Sequence, residues 1–93
     1  MKCVHVFVSG RVQGVFFRAF TKRSADDCGV RGWVRNLSDG RVEAFACGDE
    51  DEVDCFLNEL KKGPPASRVD DVEVSLAAPA DINEEYIDFR ILR

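Results

Sequence analysis

The stretch best equipped for chemistry is Ser9-Gly10-Arg11-Val12-Gln13-Gly14-Val15-Phe16-Phe17-Arg18. Two glycines bracket a turn that feeds a predicted helix. A run of backbone N–H groups, unobstructed by a Cβ at Gly14, can curl around an anion, and the positive end of the new helix adds to the attraction. Arg18 falls in the first helical turn, where its planar fork of donors can reach back to the same anion. That geometry suits phosphate. The spacing is not that of a nucleotide P-loop, since no Gly-Lys-Ser/Thr follows, nor that of a Gly-x-Gly-x-x-Gly dinucleotide turn. On spacing alone, a plain strand-to-helix turn with a solvated Arg is an equal reading. A second stretch, Gly32-Trp33-Val34-Arg35-Asn36-Leu37-Ser38-Asp39-Gly40, contributes Asn36. Its carboxamide offers a donor and an acceptor without charge and can hold a water against a bound phosphorus. An Asn at this place can also simply open a hairpin turn.

What these stretches lack is equally informative. Neither contains a Ser–His or Cys–His pair, so a covalent nucleophile has no obvious base. No carboxylate occurs in residues 9–18, so no protein general base is evident there. His5 sits in the middle of a predicted strand and reads as a packed or edge residue. The four cysteines, Cys3, Cys28, Cys47 and Cys55, include no Cys-x-x-Cys pair. A zinc site would have to be assembled from four scattered elements. In a chain without a secretion signal, the expectation is reduced and mostly buried thiols. Neither a metal site nor a cofactor is expected.

The elements that must position Arg18 and Asn36 follow from periodicity. Cys3 to Ser9 alternates two nearly apolar sets, as a central strand does. Phe17 to about Cys28 reads as a helix, with Phe17, Phe20, Ala25 and Cys28 on one face and Gly29 as its C-cap signal. Val30 to Asn36 and Arg41 to Cys47 are strands joined by a turn at Asp39-Gly40. The second helix starts at a capping-box pattern, Asp49 and Glu52, and places Val53, Phe56, Leu57 and Leu60 at i, i+3, i+4 and i+7. Gly63-Pro64-Pro65 stops it. Asp71 to Leu76 is a fourth strand with one wet face, and Tyr86 to Leu92 a fifth, at an edge. The predicted core is Val4, Val6, Val8, Phe20, Val34, Val42, Val53, Phe56, Leu57, Leu60, Val72, Val74 and Phe89.

The order is βαββαβ with a terminal strand added. It predicts an α+β ferredoxin-like sandwich, with two helices on one face of a mainly antiparallel sheet of four to five strands. The first crossover makes strands one and two parallel, with strand three between them. The loop Gly10–Gly14, the start of helix one and Asn36 at the end of strand two must then meet at one sheet edge.

The chain has 93 residues, a hydrophobic fraction of 45%, a charged fraction of 32% and a formal net charge of −4. One domain spanning residues 1–93 is expected. The acidic balance argues against nucleic acid as a partner. No apolar run approaches the ~20 residues of a spanning helix, so no membrane association is expected. The N-terminal stretch lacks a signal-peptide pattern, which makes the cytoplasm the default location.

Residues 9–18 and 32–36, with Gly40, closely resemble the two motifs of the common-type acylphosphatases. The likeness extends through Gly48-Asp49-Glu50, the stretch from Pro64 to Arg68 and the closing Phe89-Arg90-Ile91. The resemblance implies the ferredoxin-like fold and metal-independent hydrolysis of acyl phosphates to a carboxylate and orthophosphate. It makes inorganic phosphate a product and an inhibitor, and the chain is expected to be a monomer. It places the phosphate-binding arginine at Arg18, the water-positioning asparagine at Asn36, and the phosphate cradle at Val12, Gln13, Gly14, Val15, Phe16 and Phe17. Two departures stand out. Phe20 replaces a frequent Tyr, and Leu37 follows Asn36 where some relatives carry Thr. Two rival readings differ in kind. Arg31-Gly32-Trp33-Val34 is faintly similar to the aromatic signature of RNA-binding sheets. A regulatory or carrier module would use the same cradle to bind a phosphate ester or carbamoyl phosphate without turnover.

Overall fold

The computed structural model describes residues 1–78 and 87–92. The chain runs β1 (Lys2–Arg11), α1 (Phe17–Cys28), β2 (Arg31–Asn36), β3 (Val42–Gly48), α2 (Glu50–Lys62), β4 (Arg68–Ala77) and β5 (Phe89–Ile91). Tyr86, assigned above to the last strand, lies outside the described residues. The five strands form one sheet in the order β4-β1-β3-β2-β5. β3 is antiparallel to both β1 and β2, as the crossover argument requires, and β5 adds to β2 in parallel.

Period-two alternation decides the two faces of the sheet. Val4, Val6 and Val8 point to the helix side and are fully buried with Val34, Val42, Ala44 and Ala46. Helix α2 closes this core with Val53, Phe56 and Leu60, and Phe56 meets Phe89 at a ring separation of 5.5 Å. Glu52 Oε1 accepts the Asp49 N–H at 2.8 Å, completing the predicted start of α2.

Two core assignments change, those of Val74 and Phe20. Val69 and Val72 pack against the core, but Val74 is 42% exposed. β4 is an edge strand, and its second half carries Val74 and Leu76 beyond the packed core. Leu57, like Val72, is partly buried and packs against the core, whereas Phe20 is half-buried outside that cluster. Helix α1 turns Phe17, Ala25 and Cys28 inward as expected, with Thr21 and Ser24 beside them in place of Phe20. Its small residues let the helix lie close to the sheet. The Thr21 hydroxyl, fully buried, donates to the Phe17 carbonyl at 2.8 Å, so it adds no unsatisfied polar group to the core.

The cysteines also depart from expectation. They are paired as disulfides, Cys3–Cys47 and Cys28–Cys55, rather than held as thiols. The β1–β3 register sets Cys3 directly opposite Cys47, and the second bond joins the last residue of α1 to α2. Sequence spacing carries no trace of a cross-strand register, so the pairing emerges only from the fold. On the sheet face away from the helices, Trp33 and Phe45 stack. Beside them the buried Glu43 accepts from the Arg35 Nε–H and meets His5 Nε2 at 2.6 Å. His5 is thus engaged with a buried carboxylate on the opposite face from the helices.

Candidate active site

β1 leaves the sheet through Gly10, where a side chain could not fit. A Cβ there would lie 2.2 Å from the Arg68 carbonyl oxygen of β4, and the backbone takes φ 125°. The β1–β4 register shifts between Ser9 and Gly10, and the pairing continues to Arg11, where the strand ends and the chain turns. Gly14 then adopts φ 74° with open space on its Cβ side. Phe16, at φ 61° and ψ 28°, delivers the chain into α1.

The start of α1 contrasts with that of α2. Helix α2 has Glu50, Asp51 and Glu52 in its first turn, which offset its positive end. Helix α1 has neither a side-chain cap nor an acidic residue in its first turn. No side chain of its own thus caps or offsets its leading N–H groups and dipole.

Beside that helix start lies a cleft of about 420 Å³ lined by Val12, Gly14, Phe16, Phe17, Arg18, Ala19, Asn36 and Ile91. The topology thus brings Arg18 and Asn36 to one place, as the parallel relation of β1 and β2 predicts. Arg18 is the one charged side chain of the lining among the described residues. Its Nη1 donates to the Leu92 carbonyl at 3.3 Å, just past β5, which steadies the guanidinium. The Asn36 amide oxygen is shielded from solvent and finds no hydrogen-bond donor among the described residues. A shielded acceptor left unpaired costs stability in a native fold. The Asn36 carboxamide is therefore not spent on holding the hairpin together.

Not every expected cradle residue faces the cleft. Gln13 and Val15 are absent from its lining. Gln13 turns its amide towards the β2–β3 hairpin, donating to Leu37 O at 2.7 Å and Arg41 O at 2.9 Å. Val15 is buried in the core. Ala19 and Ile91 line the cleft without having been singled out in the sequence. The signal for Ile91 was present: a fifth strand parallel to β2 must end at the same edge as Asn36. Among the described residues no group of three or more His, Cys, Asp or Glu gathers as metal ligands would.

A family model described as acylphosphatase matches residues 4–91. The acylphosphatase of Methylococcus capsulatus (strain Bath) is 48% identical over 93 residues, covering 100% of this chain and 98% of that protein. That of Legionella pneumophila (strain Corby) is 54% identical over 90 residues, covering 97% and 94%. The crystal structure of the Bacillus subtilis acylphosphatase agrees with a TM-score of 0.90 at 39% identity over all of both chains. A Coxiella burnetii acylphosphatase agrees with a TM-score of 0.87 at 42% identity, covering 98% of this chain and 92% of that one. Identity at about half of all positions, spread over nearly the full length of both proteins, makes the chain a member of the acylphosphatase family, whose enzymes hydrolyse the carboxyl–phosphate bond of acyl phosphates.

Proposed function

We propose that hydrolysis proceeds by direct attack of a water held by Asn36 on a phosphorus held by Arg18 and the loop from Val12 to Phe17. The observation that carries this reading is that Asn36, from the end of β2, and Arg18, from the start of α1, line one cleft. A water held in the cleft by the Asn36 carboxamide turns a lone pair towards the phosphorus. The loop contributes backbone N–H groups, chiefly around Gly14 and the start of α1, rather than the side chains of Gln13 and Val15. Arg18 supplies the charge-assisted, planar contact.

The reaction balances without a protein base. The water oxygen forms a bond to phosphorus, and one water proton passes to a non-bridging phosphate oxygen. The bond between phosphorus and the bridging acyl oxygen breaks, and its electron pair leaves on the carboxylate. A carboxylate is a good leaving group, so binding, orientation and charge stabilisation suffice. No metal takes part in this scheme, and inorganic phosphate competes for the same cradle. The chain works as a monomer in the cytoplasm, without nucleic acid or membrane as partner.

Single turnover in ¹⁸O-labelled water with EDTA present tests the scheme. The label is expected in the released phosphate. Label in the carboxylate would mean attack at carbon, and loss of turnover in EDTA with recovery on adding a divalent ion would place a metal in the mechanism.

A further inference from the structure

Helix α1 carries two cations about one turn apart on one face, Arg18 and Lys22, and both donate to the chain of β5. Arg18 Nη1 reaches the Leu92 carbonyl at 3.3 Å, and Lys22 Nζ reaches the Phe89 carbonyl at 3.0 Å. The strand has few other restraints. It is three residues long and outermost in the sheet, so β2 is the one strand that pairs with it. The Asp88 carbonyl accepts the Gly32 N–H. Ladder alternation then turns the next carbonyl, that of Phe89, away from β2. Lys22 supplies the donor that no neighbouring strand provides. Asp26 Oδ2 takes another N–H of the same ammonium at 3.1 Å, so the Lys22 side chain is held between its own helix and β5.

What β5 carries links this contact to the cleft. Ile91 lines it, and Leu92 presents the carbonyl that steadies the Arg18 guanidinium. From Phe89 to Leu92 is only about 10 Å of extended chain, so a shift at the start of the strand reaches the Leu92 carbonyl. Lys22 is not part of the cleft lining. It therefore acts on the cleft either through β5 or by its charge at a distance. A guanidinium meets phosphate best when its fork of donors is held at a fixed angle, and a loosened anchor lets that fork swing.

We infer that Lys22 is a positioning residue for phosphate binding: by holding the Phe89 carbonyl it fixes β5, and β5 fixes the Leu92 carbonyl against which Arg18 is aimed. This rests on the phosphate-site reading given above. The two cations of α1 divide the work. Arg18 meets the substrate, and Lys22 holds the strand that orients Arg18.

The test is a double-mutant cycle on inorganic phosphate affinity, read by NMR titration of the backbone amides in the wild type, Lys22→Met, Arg18→Gln and the double variant. Lys22 is partly exposed, so Lys22→Met should fold, and the same spectra show it. That variant is expected to raise the phosphate Kd, and KM for benzoyl phosphate, by about 3- to 10-fold. Its kcat should stay within about twofold of the wild type, the mark of lost binding shared by ground and transition states. Lys22→Arg keeps a donor for both Phe89 O and Asp26, and should restore both constants. In the Arg18→Gln background, Lys22→Met should add no further loss of affinity. The same loss in both backgrounds would mean that Lys22 attracts phosphate by its own charge, and would overturn the positioning role. An unchanged Kd in Lys22→Met beside a weakened Arg18→Gln would overturn it and leave the phosphate site standing. Wild-type affinity in Arg18→Gln would overturn the phosphate-site reading, and the role of Lys22 with it.

Discussion

The Gln13 carboxamide donates to the carbonyl of Leu37 at 2.7 Å, and Leu37 is the residue that follows Asn36. A second N–H of the same amide donates to Arg41 O at 2.9 Å. Leu37 N–H in turn donates to Arg41 O at 2.8 Å, closing the hairpin. The loop proposed to cradle phosphate and the turn that follows Asn36 are thereby joined through one side chain. A glutamine suits this place because its NH₂ group supplies two donors, and each of these carbonyls, already bonded once within the hairpin, has a second lone pair to accept one. The spacing between the cradle and Asn36 is thus set by this amide as well as by the sheet.

Replacing that amide should misalign the two halves of the cleft. Gln13→Glu places acceptor oxygens against two carbonyls, and Gln13→Ala removes the bridge. In either variant kcat/KM for an acyl phosphate is expected to fall by roughly 10–100-fold, the scale of an ångström-sized misplacement. Stability should fall by only about 1–3 kcal/mol, as for lost, partly buried hydrogen bonds. Steady-state kinetics beside a urea titration separates the two effects. Full activity in Gln13→Ala would show that the sheet alone holds the spacing.

Arg18 should govern phosphate affinity. Arg18→Gln keeps much of the volume and some donor capacity but loses the charge, and the helix start retains its N–H groups. Most activity should be lost while the fold persists. In the wild type, inorganic phosphate at 100 times its Kd should raise the unfolding free energy by about 2.7 kcal/mol through mass action. At the same phosphate concentration the thermal midpoint of Arg18→Gln should scarcely move. Equal protection of the variant would remove Arg18 from the phosphate site.

Where the outcome rests on local pattern, the sequence is a good guide. Val4, Val6 and Val8 alternate, and Val53, Phe56 and Leu60 recur at helical spacing, and all six are buried. The meeting of Arg18 and Asn36 was also legible, because a right-handed crossover with an inserted hairpin leaves little freedom in where the parallel strands end. Features that depend on distant partners were not. Thr21 and Ser24 are polar by type, so nothing local marks them as the inner face of α1. The exposure of Val74 depends on how far the packed core reaches along an edge strand. The role of Gln13 depends on carbonyls 24 and 28 residues away. The Cys3–Cys47 pair depends on a register that no spacing rule encodes.

The two disulfides should differ in access. Cys3 and Cys47 are buried, whereas Cys55 is exposed. The bonds span 44 and 27 residues of sequence. By loop-closure entropy each should contribute about 3–4 kcal/mol of stability. Under native conditions dilute dithiothreitol should open Cys28–Cys55 first, since exchange needs the attacking thiolate to reach a sulfur. Timed alkylation with mass spectrometry should show Cys28 and Cys55 labelled well before Cys3 and Cys47. Labelling of all four together would mean that reduction proceeds through global unfolding.

Asn36 should separate chemistry from binding. Its carboxamide bears no charge and lacks the attraction for a phosphate that the Arg18 guanidinium has. A carboxamide orients a water through a hydrogen bond, which matters only when that water must meet phosphorus along a defined line. Removing it leaves ground-state binding intact and withdraws help from the transition state, the pattern read as a loss of kcat at nearly constant KM. By the scale of losing one preorganised polar group, Asn36→Ala should lower kcat by roughly 10²–10³-fold. Inorganic phosphate should inhibit the variant with close to wild-type affinity. Stability should hold or rise slightly, because the substitution removes an unsatisfied acceptor instead of a fold-forming bond. Asn36→Asp is the sharper variant. It keeps an acceptor oxygen but sets a negative charge beside the phosphate, so both kcat and phosphate affinity should fall. A phosphate affinity that drops equally in Asn36→Ala and Asn36→Asp would assign Asn36 to holding the anion, and near-normal kcat in Asn36→Ala would remove it from the water site.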